Sequence, residues 1–448
     1  SLLATIFFVI LRKILKDIHP SSHTNTALFA TACLYLLSHV FSFRMFLERP
    51  HVLSIIFMLS VFYALIERRV WFICFIAFLF PFFYSVSFLI LIPPIAYVFG
   101  AFAYRENRIL SIKAFAASLF GLLVGIIALP NSIAYFHNGF LVHFQSLYES
   151  IWGNALGTPL ELGDGFDNVG GELWLIIFIF YGITLSFYML LKKSIRTISF
   201  RLWYIWVLAT ALTVGFFIVV RTIEYALPFA LIAIFSSTHL ISHIWHSAYK
   251  SVGEKHFFRG IYEAVVHIFS KEKRKVIVFL IFFCIVLAST RTVSLISIFK
   301  KAPDYTTYLG AYEKLKEVAP AGSIVFIPRF GMFPELYFYG PQYRYTSGMD
   351  PAFTYMHDEE IYWLMHHTSR DEFICGEPIC KTSVMDAYTF IHDVLKAQYV
   401  VLNTNYFSKN PGAISFKTTV ERDSRFTLIY TDALFPYMKL YALESIAN

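Results

Sequence analysis

The chain has 448 residues, of which 57% are hydrophobic and only 15% charged. A soluble domain carries roughly a quarter charged residues, so an ordinary soluble globular protein is excluded. The net charge of +7 then bears on topology rather than on nucleic-acid binding, because lysine and arginine bias orients membrane helices.

Apolar runs of about 17 to 25 residues recur, long enough to cross a hydrocarbon core of roughly 30 Å. They do not alternate as the strands of a transmembrane barrel would. The fold expected is a polytopic α-helical membrane protein with about nine to ten spans. A small C-terminal extracytoplasmic α/β or α+β domain follows. In chain order the spans are expected at 1–12 (partial), 26–46, 52–66, 70–83, 86–103, 110–129, 172–191, 202–220, 225–244 and 276–297. The first opens in mid-run at Ser1, so the chain is expected to lack its natural N-terminus. A signal peptide would carry its charges before the apolar core, not after it. The fourth and fifth spans meet at FPFFYSVSF, where Pro81 and Ser85 suggest a tight re-entry. A single kinked segment there is the alternative, and it would invert everything downstream.

Basic residues fall in alternate loops. One set holds Arg12, Lys13 and Lys16; Arg68 and Arg69; Arg105, Arg108 and Lys113; Lys192, Lys193, Arg196 and Arg201; and the linker from His246 to Lys275. The other set holds Arg44 and Arg49, nothing basic at 81–87, His137 and His143 in the loop 130–171, and Arg221. The first set is assigned to the cytoplasm. The loop 130–171, the seam at 221–224 and the tail then share the outer face. The basic linker 245–275 carries Phe257, Phe258, Ile261 and Val265 among its charges, as a helix lying in the membrane interface would. A disordered basic loop is the alternative.

Composition changes after Pro303, dividing a membrane domain, 1–300, from a soluble one, 301–448. DYTTYLGAYEKLKEVAPAG reads as a helix stopped by Pro320 and Gly322. SIVFIP and AQYVVLNT read as strands, and FTLIYTD with MKLYALES as a terminal hairpin. Glycine fingerprints for nucleotide binding are absent. Cys33, Cys74 and Cys284 lie in spans as buried thiols. Cys375 and Cys380 bracket GEPI, where an oxidising compartment would permit a local disulfide; a zinc site needs more ligands than this pair supplies nearby.

Three places on the outer face combine charge with membrane proximity. The seam RTIEY carries Arg221 and Glu224. FRMFLERPH carries Arg44, Glu48, Arg49 and His51. The loop 130–171 is aromatic and acidic, without lysine or arginine. Each has a plain reading: arginines snorkelling to headgroups, a helix-surface pair at Arg221 and Glu224, an interfacial aromatic belt. His137 and His143 are poorly spaced for joint ligation on one helix, and no metal site is assigned. Taken together, the three places would line one outer cavity. An arginine there can grip a phosphate in bidentate fashion, with Glu224 orienting Arg221. The acidic loop could hold a divalent metal ion or the hydroxyls of a sugar. A lipid-linked phosphosugar fits such a cavity. Transfer of its sugar needs a carboxylate general base and neutralisation of the leaving phosphate.

The segments ERPHVLSIIFMLSVFYALIERR (48–69), RTIEYALPFALIAIF (221–235), PAGSIVFIPRFGMFPELYFYGPQYRYTSGMDPAFTY and AQYVVLN resemble the GT-C superfamily of membrane glycosyltransferases. The similarity is to bacterial relatives of the protein O-mannosyltransferases and the lipid A aminoarabinose transferase. The resemblance implies a polyprenyl-phosphate sugar donor, an unidentified acceptor and an address in a bacterial inner or plasma membrane. It also implies a catalytic acidic residue in the first outer loop, upstream of Ser1, so the catalytic base is left unassigned. For the donor phosphate Arg221 is the first candidate and Arg49 the second, with Glu224, Tyr225 and His51 in support. Asp350, in GMDP, is read as a turn cap. Two other classes compete. A transporter or flippase for a lipid-linked glycan should show internal repeats and mid-span charges, which the sequence lacks. A non-catalytic membrane scaffold differs only in the upstream loop.

Overall fold

A computed structural model of the chain describes residues 2–17, 22–38, 41, 42, 45, 51–136, 172–192, 198–218, 222–251, 286, 289, 290, 292, 293, 296, 304–348, 354, 358–370, 386–404 and 411–443. The loop 137–171, the linker from 252 to 275, most of the expected span 276–297 and the Cys375–Cys380 pair lie outside the described residues. Contacts divide the chain into two compact units, Ser1–Lys300 and Lys301–Asn448.

The first unit is helical: α1 (Leu2–Lys16), α2 (His23–Leu36), α3 (His51–Ile66), α4 (Val70–Leu79), α5 (Ile92–Tyr104), α6 (Arg108–Ile127), α7 (Ser132–Phe136), α8 (Leu173–Leu191), α9 (Phe200–Ile218) and α10 (Ile223–Ser251). Helices form along the apolar runs because backbone in hydrocarbon must satisfy its polar groups within one segment. α1 runs past the expected stop at residue 12. Its last turns are amphipathic, with Leu11, Ile14 and Leu15 buried and Arg12, Lys13 and Lys16 exposed. Three stretches are long and apolar enough to cross a membrane, by length and composition: Ser87–Tyr104, Arg108–Ile127 and Ile223–Ser242. Val52–Ile66, Val70–Phe82, Trp174–Leu190 and Phe200–Phe216 are apolar but shorter. The described residues therefore hold fewer full-length spans than the nine to ten expected. Regular helix in α4, for example, covers 10 residues, about 15 Å of rise, and continues only as the 3-10 turn Phe80–Phe82.

Side-chain contacts fix the helix directions. Gly121 of α6 lies against Cys74 of α4, and Gly125 against Phe78, so these two helices run parallel. α5 follows α4 after residues 80–91, which hold the 3-10 segments Phe80–Phe82 and Ser87–Leu91, and is joined to α6 by the short turn 105–107; it runs opposite to both. The chain reverses at FPFFYSVSF as two segments rather than passing through as one kinked helix. The stretch GLLVG makes the approach possible. A methyl on Gly121 would overlap the Cys74 carbonyl oxygen, and one on Gly125 that of Phe78, the small-residue spacing that lets membrane helices meet at their backbones. α5 and α9 are antiparallel: the Tyr204 hydroxyl donates to the Pro93 carbonyl at 3.2 Å and the Tyr104 hydroxyl to the Ile198 carbonyl at 2.8 Å. α3 and α10 are parallel, meeting at Ser54 with Tyr225 and at Phe62 with Phe229.

These directions sort the charges to one end. Arg201 Nη1 sits 2.8 Å from Asp17 Oδ2, Arg12 donates to Thr24 Oγ1, and Lys13 lies over the Tyr63 ring. Arg68 and Arg105 turn the chain there in the left-handed region, at φ 58° and 61°. Glycine would adopt those angles more cheaply; arginine keeps a cation at each turn.

The second unit comprises α11 (Leu309–Val318), β1 (Ile324–Phe326), α12 (Phe333–Tyr339), β2 (Arg344–Tyr345), α13 (Glu359–Arg370), the helical turns Ala387–Thr389 and Phe390–Val394, β3 (Tyr399–Asn403), α14 (Pro411–Arg422), β4 (Phe426–Thr431) and β5 (Met438–Leu443). The sheet order is β2-β1-β3-β5-β4. β1 pairs parallel with β2 and β3, whereas β5 pairs antiparallel with β3 and β4. Helices between the parallel strands supply the crossovers such pairing requires. Tyr308, Leu315, Val325, Leu336, Val401 and Leu440 form the core on one side of the sheet. Arg425 staples the end of α14 to the preceding helical turns. It lies 4.4 Å over the Tyr388 ring and pairs with Asp423 at 2.6 Å and Asp386 at 3.0 Å. Its hydrogen bonds hold the Asp423 carboxyl below the ordinary carboxylate range.

Candidate functional site

The end of the helical unit opposite the basic turns gathers its buried polar groups. Glu224 and Tyr225 open α10. Neither lies on a helix surface: Glu224 is fully buried and Tyr225 nearly so. The plain reading put Glu224 on a helix surface, and its burial moves it into the bundle. Pro228, one turn on, has no N–H to offer the Glu224 carbonyl. The first turn of α10 is thus held by side chains from other helices. The Tyr225 hydroxyl is 2.6 Å from Ser54 Oγ of α3, with the Tyr84 side chain nearby. Tyr135 of α7 donates to the Tyr84 carbonyl at 2.7 Å. Hydroxyl groups thus tie α10 to α3, and α7 to the stretch before α5, at this end of the bundle.

A second carboxylate lies at the same end. Glu172 directly precedes α8 and is 2% exposed. It does not cap its own helix. One oxygen accepts from Ser38 Oγ at 3.0 Å, and the other from the Trp174 indole N–H. Ser38 in turn accepts from the Phe41 backbone N–H at 3.0 Å, so its hydroxyl is used in both directions. A chain of contacts links the two carboxylates: Trp174 meets Phe216 edge-on, and the next residue back, Gly215, faces the Thr222 side chain, two residues before Glu224. Buried carboxylates are costly in a helical membrane unit and mark functional positions by default.

Of the residues expected at the site, the structure brings Glu224 and Tyr225 into this cluster. His51 is the first residue of α3, on the turn before Ser54. Arg221 and Arg49 lie outside the described residues, as do His137, His143 and Asp350. Among the described residues no group of three or more His, Cys, Asp or Glu could hold a metal ion. Sequence reasoning missed Glu172, Ser38, Ser54 and Tyr84. For Glu172 a signal existed: the acidic loop ends on it, immediately before the apolar run LWLIIFIF. The hydroxyl partners carry no such mark, since serine and tyrosine in apolar runs are common.

The class defined is a bundle of apolar helices with buried carboxylates at one end, followed by a small mixed α/β unit. Its fold is similar to that of the archaeal oligosaccharyltransferase AglB from Archaeoglobus fulgidus, whose structure holds an inhibitory peptide and a dolichol-phosphate. The TM-score is 0.54 at 12% identity, and the match covers 100% of this chain and 62% of that one. The chain thus spans less than two thirds of the length of the structure it matches, and at this identity the likeness is one of fold. No family model and no curated protein matches the chain.

Proposed function

We propose that the chain is the membrane part and adjoining domain of a GT-C glycosyltransferase that moves a sugar from a polyprenyl-phosphate-linked donor to an acceptor on the extracytoplasmic face. The observation that carries this reading is the pair of buried carboxylates, Glu172 and Glu224, set among hydroxyls at the end of the bundle opposite the basic turns at Arg68 and Arg105. A lipid-phosphate donor has an apolar tail that lies among helices and a charged head that needs a polar pocket at one end. The fold likeness to a protein solved with a dolichol-phosphate and a peptide supports the same two kinds of ligand here.

In this reading the basic end faces the cytoplasm and the carboxylate end faces outward. Arg221, three residues before Glu224, grips the donor phosphate, and Arg49, two residues before α3, is the second cation. Ser54 holds Tyr225 and so fixes the start of α10 beside the arginine. During transfer an acceptor nucleophile gives its proton to a carboxylate base and bonds to the anomeric carbon, the carbon–oxygen bond to phosphate breaks, and the phosphate stays on the lipid. The arginines neutralise the charge that develops on that leaving group.

The test is sugar transfer by the full-length protein in proteoliposomes, from a radiolabelled polyprenyl-phosphate sugar. Loss of one preorganised charge-stabilising contact costs about 10²–10³ in rate, so Arg221→Ala should retain a per cent or less of transfer, with membrane insertion intact. Glu172→Gln should fall strongly as well. Wild-type turnover by Arg221→Ala would remove the phosphate assignment.

A further inference from the structure

The second unit exposes a group of aromatic side chains where the chain enters it. Tyr305 and Phe338 are each 78% exposed and Tyr337 is 49% exposed. Tyr305 and Phe338 meet at Tyr339, whose hydroxyl donates to the Tyr305 carbonyl at 2.7 Å and whose ring meets the Phe338 ring edge-on at 5.2 Å; Tyr337, the residue before Phe338, stacks on Phe333. Asp304 fixes the approach, its Oδ1 accepting from the Thr306 N–H at 2.8 Å. The position is specific within the unit. Asn403, at the end of β3, donates to the Tyr308 hydroxyl, so Tyr305, three residues earlier in the chain, enters near the C-terminal end of that strand, while Val394 precedes its N-terminal end.

Single exposed apolar residues need no explanation, but a contiguous group marks an interaction surface. We propose that this aromatic group seats the unit on the lipid headgroup layer. The inference rests on residues 276–297 being a membrane span, and not on the catalytic reading. Tyr305 comes eight residues after the end of that apolar run, and a chain of that length reaches at most about 28 Å. The patch is therefore tethered within reach of the bilayer surface. Lys300 and Lys301 lie on the tether, where they attract anionic headgroups. Tyrosine and phenylalanine rings are the side chains enriched at that depth, with an apolar body and, in tyrosine, a polar tip.

The test uses the full-length protein in liposomes of phosphatidylethanolamine and phosphatidylglycerol with a trace of radiolabelled phospholipid. A photo-crosslinking benzoylphenylalanine replaces Phe338, Tyr305 or, as control, Val394. Lipid labelling at 338 and 305 several-fold above that at 394 is the expected result. Equal labelling at all three positions would overturn the proposal, and so would capture of a protein chain in place of lipid at 338. Hydroxyl-radical footprinting of the unsubstituted protein guards against misfolded variants. In liposomes Tyr305, Tyr337 and Phe338 should be oxidised as slowly as buried Tyr308; oxidation at the rate of exposed residues refutes lipid contact. Loss of transfer activity in Arg221→Ala would leave these readouts unchanged, so the two readings fail separately.

Discussion

Replacing Gly121 and Gly125 by alanine tests the packing that places the carboxylate end of the bundle. On a helix exposed to solvent, glycine to alanine gains about 0.8–1 kcal/mol from propensity. Here each added methyl would overlap a backbone carbonyl oxygen of α4, at Cys74 and at Phe78. A carbonyl cannot rotate aside as a side chain can, so the helix axes must separate. Overpacking of this kind costs typically 1–3 kcal/mol, which leaves a net loss of roughly 0–2 kcal/mol for each single substitution. The pair should be less than additive, because the separation forced by the first methyl makes room for the second. Gly121→Leu, with three more carbons against the same oxygen, should exceed the double alanine. Gly182→Ala is the control, since its methyl would meet only the Trp206 ring at 3.4 Å. The assay is thermal unfolding of the purified protein in mild detergent, followed by tryptophan fluorescence. A double alanine variant as stable as wild type, or a control equally destabilised, would show that α4 and α6 do not meet at their backbones.

Two further predictions concern the second unit. Arg425→Ala removes a ring contact and two ion pairs and should cost about 1–2 kcal/mol, at the upper end for a surface cation because the three partners form a network. Hydrogen exchange at β4 and β5 reads the loss. The folded Asp423 carboxyl is depressed by Arg425, so its contribution is complete above the ordinary carboxylate range near about pH 4 and disappears as pH falls through the lower folded value. The variant should therefore lose less stability than wild type on acidification below that range; parallel pH curves would refute the pairing. Glu335 behaves in the opposite sense. Burial raises its carboxyl above the usual value, and its Oε2 has no hydrogen-bond partner among the described residues. The folded state prefers the protonated form, so this group costs stability as pH rises through the raised value. Glu335→Gln should stabilise the unit at neutral pH, with the difference vanishing below about pH 4; a destabilising effect at pH 7 would reveal a missed partner.

The helices were legible because hydrocarbon leaves the backbone few alternatives, and apolar run length marks them directly. Strands β1, β3, β4 and β5 were legible from short apolar runs between turn residues. β2 was not: Arg344 and Tyr345 become a strand only by pairing with β1 across an intervening helix, a long-range contact without local pattern. GLLVG stood in the sequence, but its partner carbonyls could not be read from it, because α4 is apolar all round. Part of the site was visible as Glu224 and Tyr225 at a charged seam. Glu172 was passed over as the end of a loop, although its burial and its bond to Ser38 make it a member of the same end of the bundle.

The bond between Glu172 and Ser38 has a counterpart across the intervening chain. Tyr135 is moored to the Tyr84 carbonyl just before residue 137, and Glu172 is moored to Ser38 just after residue 171. The stretch between is strung from two posts that belong to the bundle. Closing a longer loop between fixed posts costs little, about 0.6 kcal/mol for each doubling of length. Both moorings are made by side chains outside residues 137–171, so a change of sequence within that stretch removes neither bond.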